Sequence, residues 1–588
     1  GVIGTMNTNS IAENCANYGN ISCTDVTASN SRVAGIVSAM GNNTALKGCV
    51  NYGDVAFTVS GDKTHGYAAG IVGQTNDANS YTYLDGCANY GAVQSDRWFA
   101  DGDDKYMGII CANFNSKVVT VKNCILGGKI GPYTPTNEAP VVTITSENYT
   151  QYYSLTAENR INKVVFENNT FGTYAAPGIK TAEDLKAFAA AVNAGTSLEA
   201  WTDSDGVVVL AADIDCSSIT EWTPIGNCTL TSTWAHNKVE TSGVLFTGTF
   251  DGKNHTIKNL HLNFAPADGN GAFGFFGGIG DGGVVKNIIF DNTCSLNIET
   301  AKAGVFGMLA GLVLDGNVDN VKNYAPVTGG GTSGLANNNA AGRVTVGGLI
   351  GWAHAATKDI TISNLYNAGP IGSSTKDFSR GGNAGNGANG FMVGGVVGFS
   401  SNDGNTLTQT LSNLKNDADI YTDAGRASGI VATANRYTIL KGAENNGSIY
   451  HSASGTFRLG AITCITAAGC ELEDCVNKGD LIAPGVASAA GVCCLINDNT
   501  VKITRCSSLG ATIVCTGFDL DNNKVTYAGA FYGQCNKTAT FSGCTVSGKV
   551  GKATDALLTL TAENYFPFVG QAYASNTTIT KDNIKFAE

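Results

Sequence analysis

The chain has 588 residues, 75 of them glycine, and only 14% are charged. Glycine at nearly twice its usual share and charge at little over half argue against a helix-rich protein, while ten prolines without a Gly-X-Y period exclude collagen. An apolar fraction of 43% with a mean hydropathy of zero supplies a core rather than a disordered chain, and a net charge of −12 without a basic stripe excludes nucleic acid as an expected partner.

No apolar run reaches the roughly 18 residues that span a membrane, so no membrane insertion is expected in this segment. The first residues, Gly1-Val-Ile-Gly4, read as the middle of a repeat, and the chain reads as a fragment of a longer array whose targeting signal lies elsewhere.

A short apolar string around glycine recurs along the sequence. It reads GVIG at Gly1, AGIVS at Gly35, AGIVG at Gly70, MGIIC at Gly108, FGFFG at Gly274, AGVFG at Gly304, GGLIG at Gly348, GGVVG at Gly395, SGIVA at Gly429, LGAIT at Gly460, AGVCC at Gly491 and AGAFYG at Gly529. A second string alternates with it, as in CANYGNI from Cys15, CVNYGDV from Cys49, CANYGAV from Cys87, LYNAGPI from Leu365, AENNGSI from Ala443 and CVNKGDL from Cys475. Two short β-branched segments per repeat, bounded by Gly, Asn and Asp, read as two strands per coil of a parallel β-helix (β-solenoid) in an all-β chain.

Equivalent residues of successive coils would stack about 4.8 Å apart. Asn17, Asn51 and Asn89, and then Asn323, Asn367, Asn416, Asn445 and Asn477, are expected to form amide ladders. Cys15, Cys49, Cys87 and Cys124, and then Cys475, Cys506 and Cys544, would point inward as buried, reduced thiols, because stacked Cβ atoms lie beyond disulfide distance. Cys464 and Cys470 are left open as a local pair.

A larger repeat lies above the coil. Gly1 matches Gly395 and Gly35 matches Gly429 at an offset of 394; Cys124 matches Cys544 at 420, with one extra coil between. Two tails correspond as well, TITSENY from Thr143 with TLTAENY from Thr559, and KVVF at Lys163 with NIKF near Phe586. Residues 1–173 therefore read as the C-terminal part of a first solenoid module, 174–200 as a capping helix and linker, and 201–588 as a second module. The one helical signal is TAEDLKAFAAAVNAG, with Thr181 as N-cap, Asp184 at N3, an apolar face of Leu185, Phe188 and Val192, and Gly195 as terminator. It would cover the open end of the second module.

WTPIGN from Trp222, FTGTFDGKNHTIKNLHL from Phe246 and GAFGFFGGIG from Gly271, followed by VVKNIIF, resemble the GLUG-repeat surface proteins of Bacteroidetes type. The resemblance implies an extracellular, multi-module β-helical protein of the kind proposed to work in adhesion. It supplies no catalytic residue.

Sequences that look like chemistry have plainer readings. The GxGxxG matches at Gly269–Gly274 and Gly385–Gly390 lack the strand and helix that a pyrophosphate needs, and GxxxxGK at Gly543–Lys549 is followed by Val550 instead of a hydroxyl. Acids gather in the loops Asp101, Asp103, Asp104 and Asp519, Asp521, where solvated charge, calcium binding and catalysis rank in that order. No cofactor or metal is expected. Aromatics beside the strands are the stronger lead for ligand binding: Trp98, with Arg97, Phe99 and Tyr106, and Trp352 with His354.

The sequence thus reads as a non-catalytic secreted or cell-surface repeat protein, an adhesin or fibre component whose partner is a glycan or protein surface, with self-association into fibres open. The alternatives are a carbohydrate-active β-helix enzyme, either polysaccharide lyase or glycosidase, and a purely structural filament subunit.

Overall fold

The glycine strings become corners. Ser31–Ala34 and Val37–Met40 flank Gly35-Ile36, and Gly66–Ala69 and Val72–Thr75 flank Gly70-Ile71. Each strand pairs in parallel with its counterpart one repeat away, so that Ala69 lies opposite Ala34, and Val72 opposite both Val37 and Cys111. The computed structural model describes residues 1–28, 30–60, 66–75, 81–99, 105–116, 118–156, 158–173, 177–230, 239–265, 271–299, 304–329, 344–379, 391–403, 406–572 and 583–588. Over these the chain is all β with predominantly parallel sheets, and Ala182–Ala194 is the one described helix longer than a single turn. It divides into two compact units, Gly1–Ala176 and Pro177–Glu588.

In the second unit two nine-stranded sheets run along the repeat direction. One contains Phe276–Ile279, Ala310–Leu314, Ile350–Ala355, Val397–Asn402, Val431–Ala434, Thr463–Thr466 and Cys493–Ile496 in that order; the other contains Gly304–Gly307, Val344–Gly347, Phe391–Gly394, Arg426–Ser428 and Gly455–Gly460.

Two sequence alignments shift. Gly304 opens a strand, and the residue at the corner beside Gly274 is Gly307, three positions on, which in turn lies opposite Gly347. NIKF does not correspond to KVVF. Val164–Glu167 pairs with Val118–Lys122, whereas Ile584–Phe586 pairs with Cys544–Val546, so its counterpart in the first unit is Thr170–Phe171. Asn169 and Asn583 confirm that register, each donating its amide to a carbonyl of the preceding rung, Val121 at 2.8 Å and Phe541 at 3.1 Å. The TITSENY and TLTAENY tails do match: Val142–Thr143 and Leu558–Thr559 both fold back antiparallel, and Asn148 and Asn564 each donate to the carbonyl five residues earlier at 3.0 Å.

The asparagines stack as amide ladders. Asn17 donates to Asn51 Oδ1 at 2.7 Å and Asn51 to Asn89 at 2.7 Å; in the second unit Asn323, Asn367, Asn416 and Asn445 each donate to the next, ending on Asn477, at 2.8–2.9 Å. Each of these amides also donates to the carbonyl two residues ahead, as Asn445 does to Gly447 at 2.9 Å. Both amide hydrogens are therefore used, which is what permits every ladder side chain but the terminal Asn17 to be fully buried. The ladder stops at Asn89 because Leu126 follows in register, and at Asn477 because Ser508 does.

Three residues before each ladder position the backbone is left-handed, as at Asn14 (φ 54°), Gly86 (φ 63°), Asn413 (φ 54°) and Asp474 (φ 54°). Asn, Asp and Gly tolerate that conformation best. The cysteine follows directly and turns its thiol onto the carbonyl two residues back: Cys49 to Lys47 at 3.5 Å, Cys87 to Asp85 at 3.8 Å, Cys475 to Glu473 at 3.4 Å, Cys506 to Thr504 at 3.5 Å and Cys544 to Ser542 at 3.6 Å. The pairing of Val50 with Ala88 and of Val476 with Ser507 puts Cys49 beside Cys87 and Cys475 beside Cys506. All 18 cysteines are free thiols, and 16 are buried; Cys15 and Cys23 are partly exposed. Cys464 and Cys470 do not meet as a pair, since their thiols donate to different carbonyls, Ala427 at 2.9 Å and Ala434 at 3.4 Å.

Helix Ala182–Ala194 begins with a capping box. The Thr181 hydroxyl accepts from the Asp184 backbone N–H at 3.1 Å, Asp184 accepts from the Thr181 N–H at 3.1 Å, and Gly195 (φ 66°) ends the helix. Leu185, Phe188 and Val192 are buried, with the Phe188 ring 6.1 Å from Phe246 and 5.8 Å from Phe250. The helix thus closes the core where the unit starts. Trp222 stacks on Phe275 at 5.3 Å, and its indole donates to the carbonyls of Gly274 and Phe275.

Candidate functional site

A second apolar strip lies outside the main core of the second unit, where outward side chains of the two nine-stranded sheets meet. One column in register is Leu312, Trp352, Phe399, Thr433, Ile465 and Leu495; the facing column is Val305, Thr345, Met392, Arg426, Arg458 and Ser488. Up to Phe399 the groove is filled. Trp352 lies 5.2 Å from Phe399, and Val305, Leu312, Met392 and Ala432 close the same cluster.

From Arg426 onward the large apolar side chains that fill the groove give way to polar ones, and the groove opens into a cleft of about 750 Å³. Phe399, Ile465 and Leu495 form its apolar part, Arg426, Arg436 and Arg458 bring three guanidinium groups, and Asn435, Asn497 and Asn536 bring amides. Arg426 donates to Thr433 Oγ1 at 3.2 Å across the corner of its own rung, and Asn536 donates to Asn497 Oδ1 of the neighbouring rung at 3.0 Å. Asp498 is the acidic residue in this lining.

The first unit has the same corner with a different filling. Arg32, Tyr67 and Tyr106 form one column, with Gln74 and Asn113 in the column facing it. Arg32 lies over the Tyr67 ring at 5.5 Å and donates to Gln74; Arg160 lies over Tyr106 at 5.7 Å and donates to Asn113 at 2.6 Å. Arg32 precedes Arg426 by 394 residues, the offset that relates Gly35 to Gly429. The groove is thus closed by tyrosines in one unit and open in the other.

The aromatic residues singled out from the sequence sit differently from the expected exposed loops. Trp352 lies within the strand Ile350–Ala355 and is only 2% exposed, because its column faces the other sheet. Tyr106 is 6% exposed beneath Arg160, with its ring 4.9 Å from Tyr67. Neither offers a face to a ligand. Trp98 is half-buried in the short 3-10 turn Asp96–Phe99, with the Lys105 ammonium 5.7 Å from its ring, and Phe99 beside it is exposed.

A hydrogen-bonded chain runs beside Trp352. The indole N–H donates to Ser401 Oγ at 2.8 Å, Ser401 lies 2.8 Å from His354 Nδ1, and His354 Nε2 lies 2.6 Å from Asp403. With Nε2–H donating to Asp403, the Ser401 hydroxyl donates to Nδ1, and every group is satisfied. Burial pulls the His354 pKa below its ordinary value, against the opposing pull of Asp403. The order Ser–His–Asp is that of a hydrolase relay, yet Ser401 and His354 are both fully buried, so no substrate reaches the hydroxyl. The chain ties adjacent rungs together.

The acids Asp101, Asp103 and Asp104 lie outside the described residues, as do Gly385–Gly390 and part of Gly269–Gly274. Asp519 accepts from the Asn522 amide at 2.9 Å, and Asp521 beside it is exposed. Among the described residues no group of three His, Cys, Asp or Glu is placed to hold a metal ion. No described helix is long and apolar enough to cross a membrane.

The arginines of the cleft carried a signal that the sequence reading missed. Arg426 and Arg458 stand 32 residues apart, the length of one coil, and Arg32 repeats the position in the other unit.

No protein-family model matches the chain, and no curated protein matches it. Among solved structures, a protein of Bacteroides ovatus described as a "putative immunoglobulin A1 protease" is similar at 15% identity with a TM-score of 0.31, over 71% of this chain and 85% of that one. A likeness this slight carries no weight for fold or activity.

Proposed function

We propose that both units are parallel β-solenoids of the GLUG-repeat kind, and that they belong to a secreted or surface-anchored array that binds a glycan or protein surface without catalysis. The parallel pairing of rungs one repeat apart, the two amide ladders and the capped start of the second unit support the solenoid reading. The observation that carries the binding reading is the open cleft at Arg426, Arg436 and Arg458, in a groove otherwise packed shut by the protein's own side chains.

An array of neutral and charged glycans, run beside a reducing-sugar assay on the same ligands, tests it. Binding without release of sugar ends is the expected outcome. Turnover that is abolished by Asp519→Asn would instead favour the carbohydrate-active enzyme.

A further inference from the structure

We infer that the Arg426–Arg436–Arg458 cleft is an anchoring site for an anionic glycan chain, one bearing carboxylate or sulfate groups, laid along the repeat axis. The inference rests on the binding reading above and names the chemistry of its ligand.

Three observations carry it. The first is charge: the chain carries a net −12, yet three arginines line one cleft with Asp498 as the acidic lining residue. Guanidinium pairs with carboxylate or sulfate through two parallel N–H···O bonds, and arginine is the residue suited to that planar match.

The second concerns what the cleft can offer. Val431–Ala434, Thr463–Thr466 and Cys493–Ile496 are each hydrogen-bonded to a strand on both sides, and Arg426–Ser428 and Gly455–Gly460 likewise. No backbone edge is left to pair with an incoming peptide strand, so recognition falls to side chains. Those present are guanidinium for anions, the Asn435, Asn497 and Asn536 amides for hydroxyls, and Phe399, Ile465 and Leu495 for C–H faces. Acid groups, hydroxyls and C–H faces together are the surface of a uronate or sulfated sugar. An acidic peptide lacks the dense hydroxyls.

The third is the comparison within the chain. In the first unit the arginines at the same groove, Arg32 and Arg160, lie over the rings of Tyr67 and Tyr106 and donate to Gln74 and Asn113. In the second unit the tyrosine positions are not repeated: Arg458 stands where Tyr67 does and Ser488 where Tyr106 does, and Arg426 and Arg458 both line the cleft.

The test is titration of the full chain, by calorimetry or interferometry, with an oligogalacturonate, a sulfated dextran, a neutral glucan of similar length and a poly-glutamate peptide. The oligogalacturonate or the sulfated dextran should bind, and whichever binds identifies carboxylate or sulfate as the anion. Affinity should fall at least tenfold in Arg458→Gln and in Arg436→Ala, and about tenfold between 50 and 500 mM salt. Arg458→Lys should recover only part of the loss, because it keeps the charge without the fork. Unchanged melting temperatures separate loss of the site from loss of the fold, and Arg436→Ala provides a second variant if Arg458→Gln does not fold. Equal binding of the neutral glucan, tighter binding of poly-glutamate, or full affinity in both arginine variants overturns the inference while leaving a binding protein. Failure of every glycan on the array overturns the glycan-binding reading itself.

Discussion

Asn416 packs its side-chain amide against the Cα of Gly395, so closely that a Cβ on Gly395 would stand 2.8 Å from Asn416 Cγ and 2.9 Å from Oδ1. The same contact joins Gly348 to Asn367, Gly429 to Asn445, Gly35 to Asn51 and Gly70 to Asn89. The two strings that alternate in the sequence are therefore halves of one contact. Glycine stands at the corner for close approach, since no left-handed φ is required at Gly395.

Removing a middle rung should cost more than removing an end. Asn416→Ala leaves a hydrogen of Asn367 and the oxygen of Asn445 without partners in a buried site, so a loss of about 2–5 kcal/mol is expected. Asn17→Ala, at the partly exposed end of its ladder, should cost about 1 kcal/mol or less. Denaturant melts of both variants check this, and equal losses would mean that the ladder contributes no more than its separate bonds.

Trp352 and Trp98 should separate in stability. Trp352→Ala opens a cavity among Leu312, Met392 and Phe399 and orphans the Ser401 side of the His354 chain, an expected loss of about 3–5 kcal/mol. Trp98→Ala removes a half-buried ring over Lys105 and should cost roughly 1–2 kcal/mol. Thermal unfolding of the two variants decides, and reversal of their order would contradict the packing described.

Native-state alkylation should modify only Cys15 and Cys23, the two thiols that are not buried. Burial pushes Cys111 and Cys515 up to about 12, which leaves almost no thiolate at neutral pH. Intact-mass spectra after iodoacetamide treatment should show at most two adducts until denaturant is added.

Acid should weaken the second unit through His354. Burial is the larger influence and lowers its pKa from 6.5, so the unfolded chain binds the proton more readily, and stability is lost as pH falls below about 6.5. The fall in melting temperature between pH 7 and pH 5 should be smaller in His354→Gln. An identical fall in the variant would place the acid sensitivity elsewhere.

Much of this architecture was legible because it repeats. A ladder asparagine must recur at every rung to satisfy its neighbour, so Asn367, Asn416 and Asn445 announced themselves, and the Thr181 cap with its Leu185, Phe188 and Val192 face follows local rules that need no tertiary information. Exposure was not legible. Trp352 alternates outward from its own core, which reads as surface in a single sheet, but the second sheet turns its own outward residues onto it. The same folding-together created the arginine cleft, whose members are 10 to 32 residues apart and belong to no motif.

The amide ladder fixes one point per rung and leaves the circumference free. Asn416 reaches Asn445 with 29 residues between rungs and Asn367 reaches Asn416 with 49, both at 2.9 Å. Twenty extra residues are accommodated with no change in the bond that sets the axial spacing. The molecule thus works as a chassis with interchangeable inserts: a lineage can lengthen, swap or decorate a bulge on one rung, and so alter what the surface touches, while every other rung keeps its partner. Sites for grafting foreign peptides are accordingly those between a ladder asparagine and the next corner glycine, where most of the extra length falls: Asn367 and Gly395 stand 28 positions apart, Asn416 and Gly429 only 13.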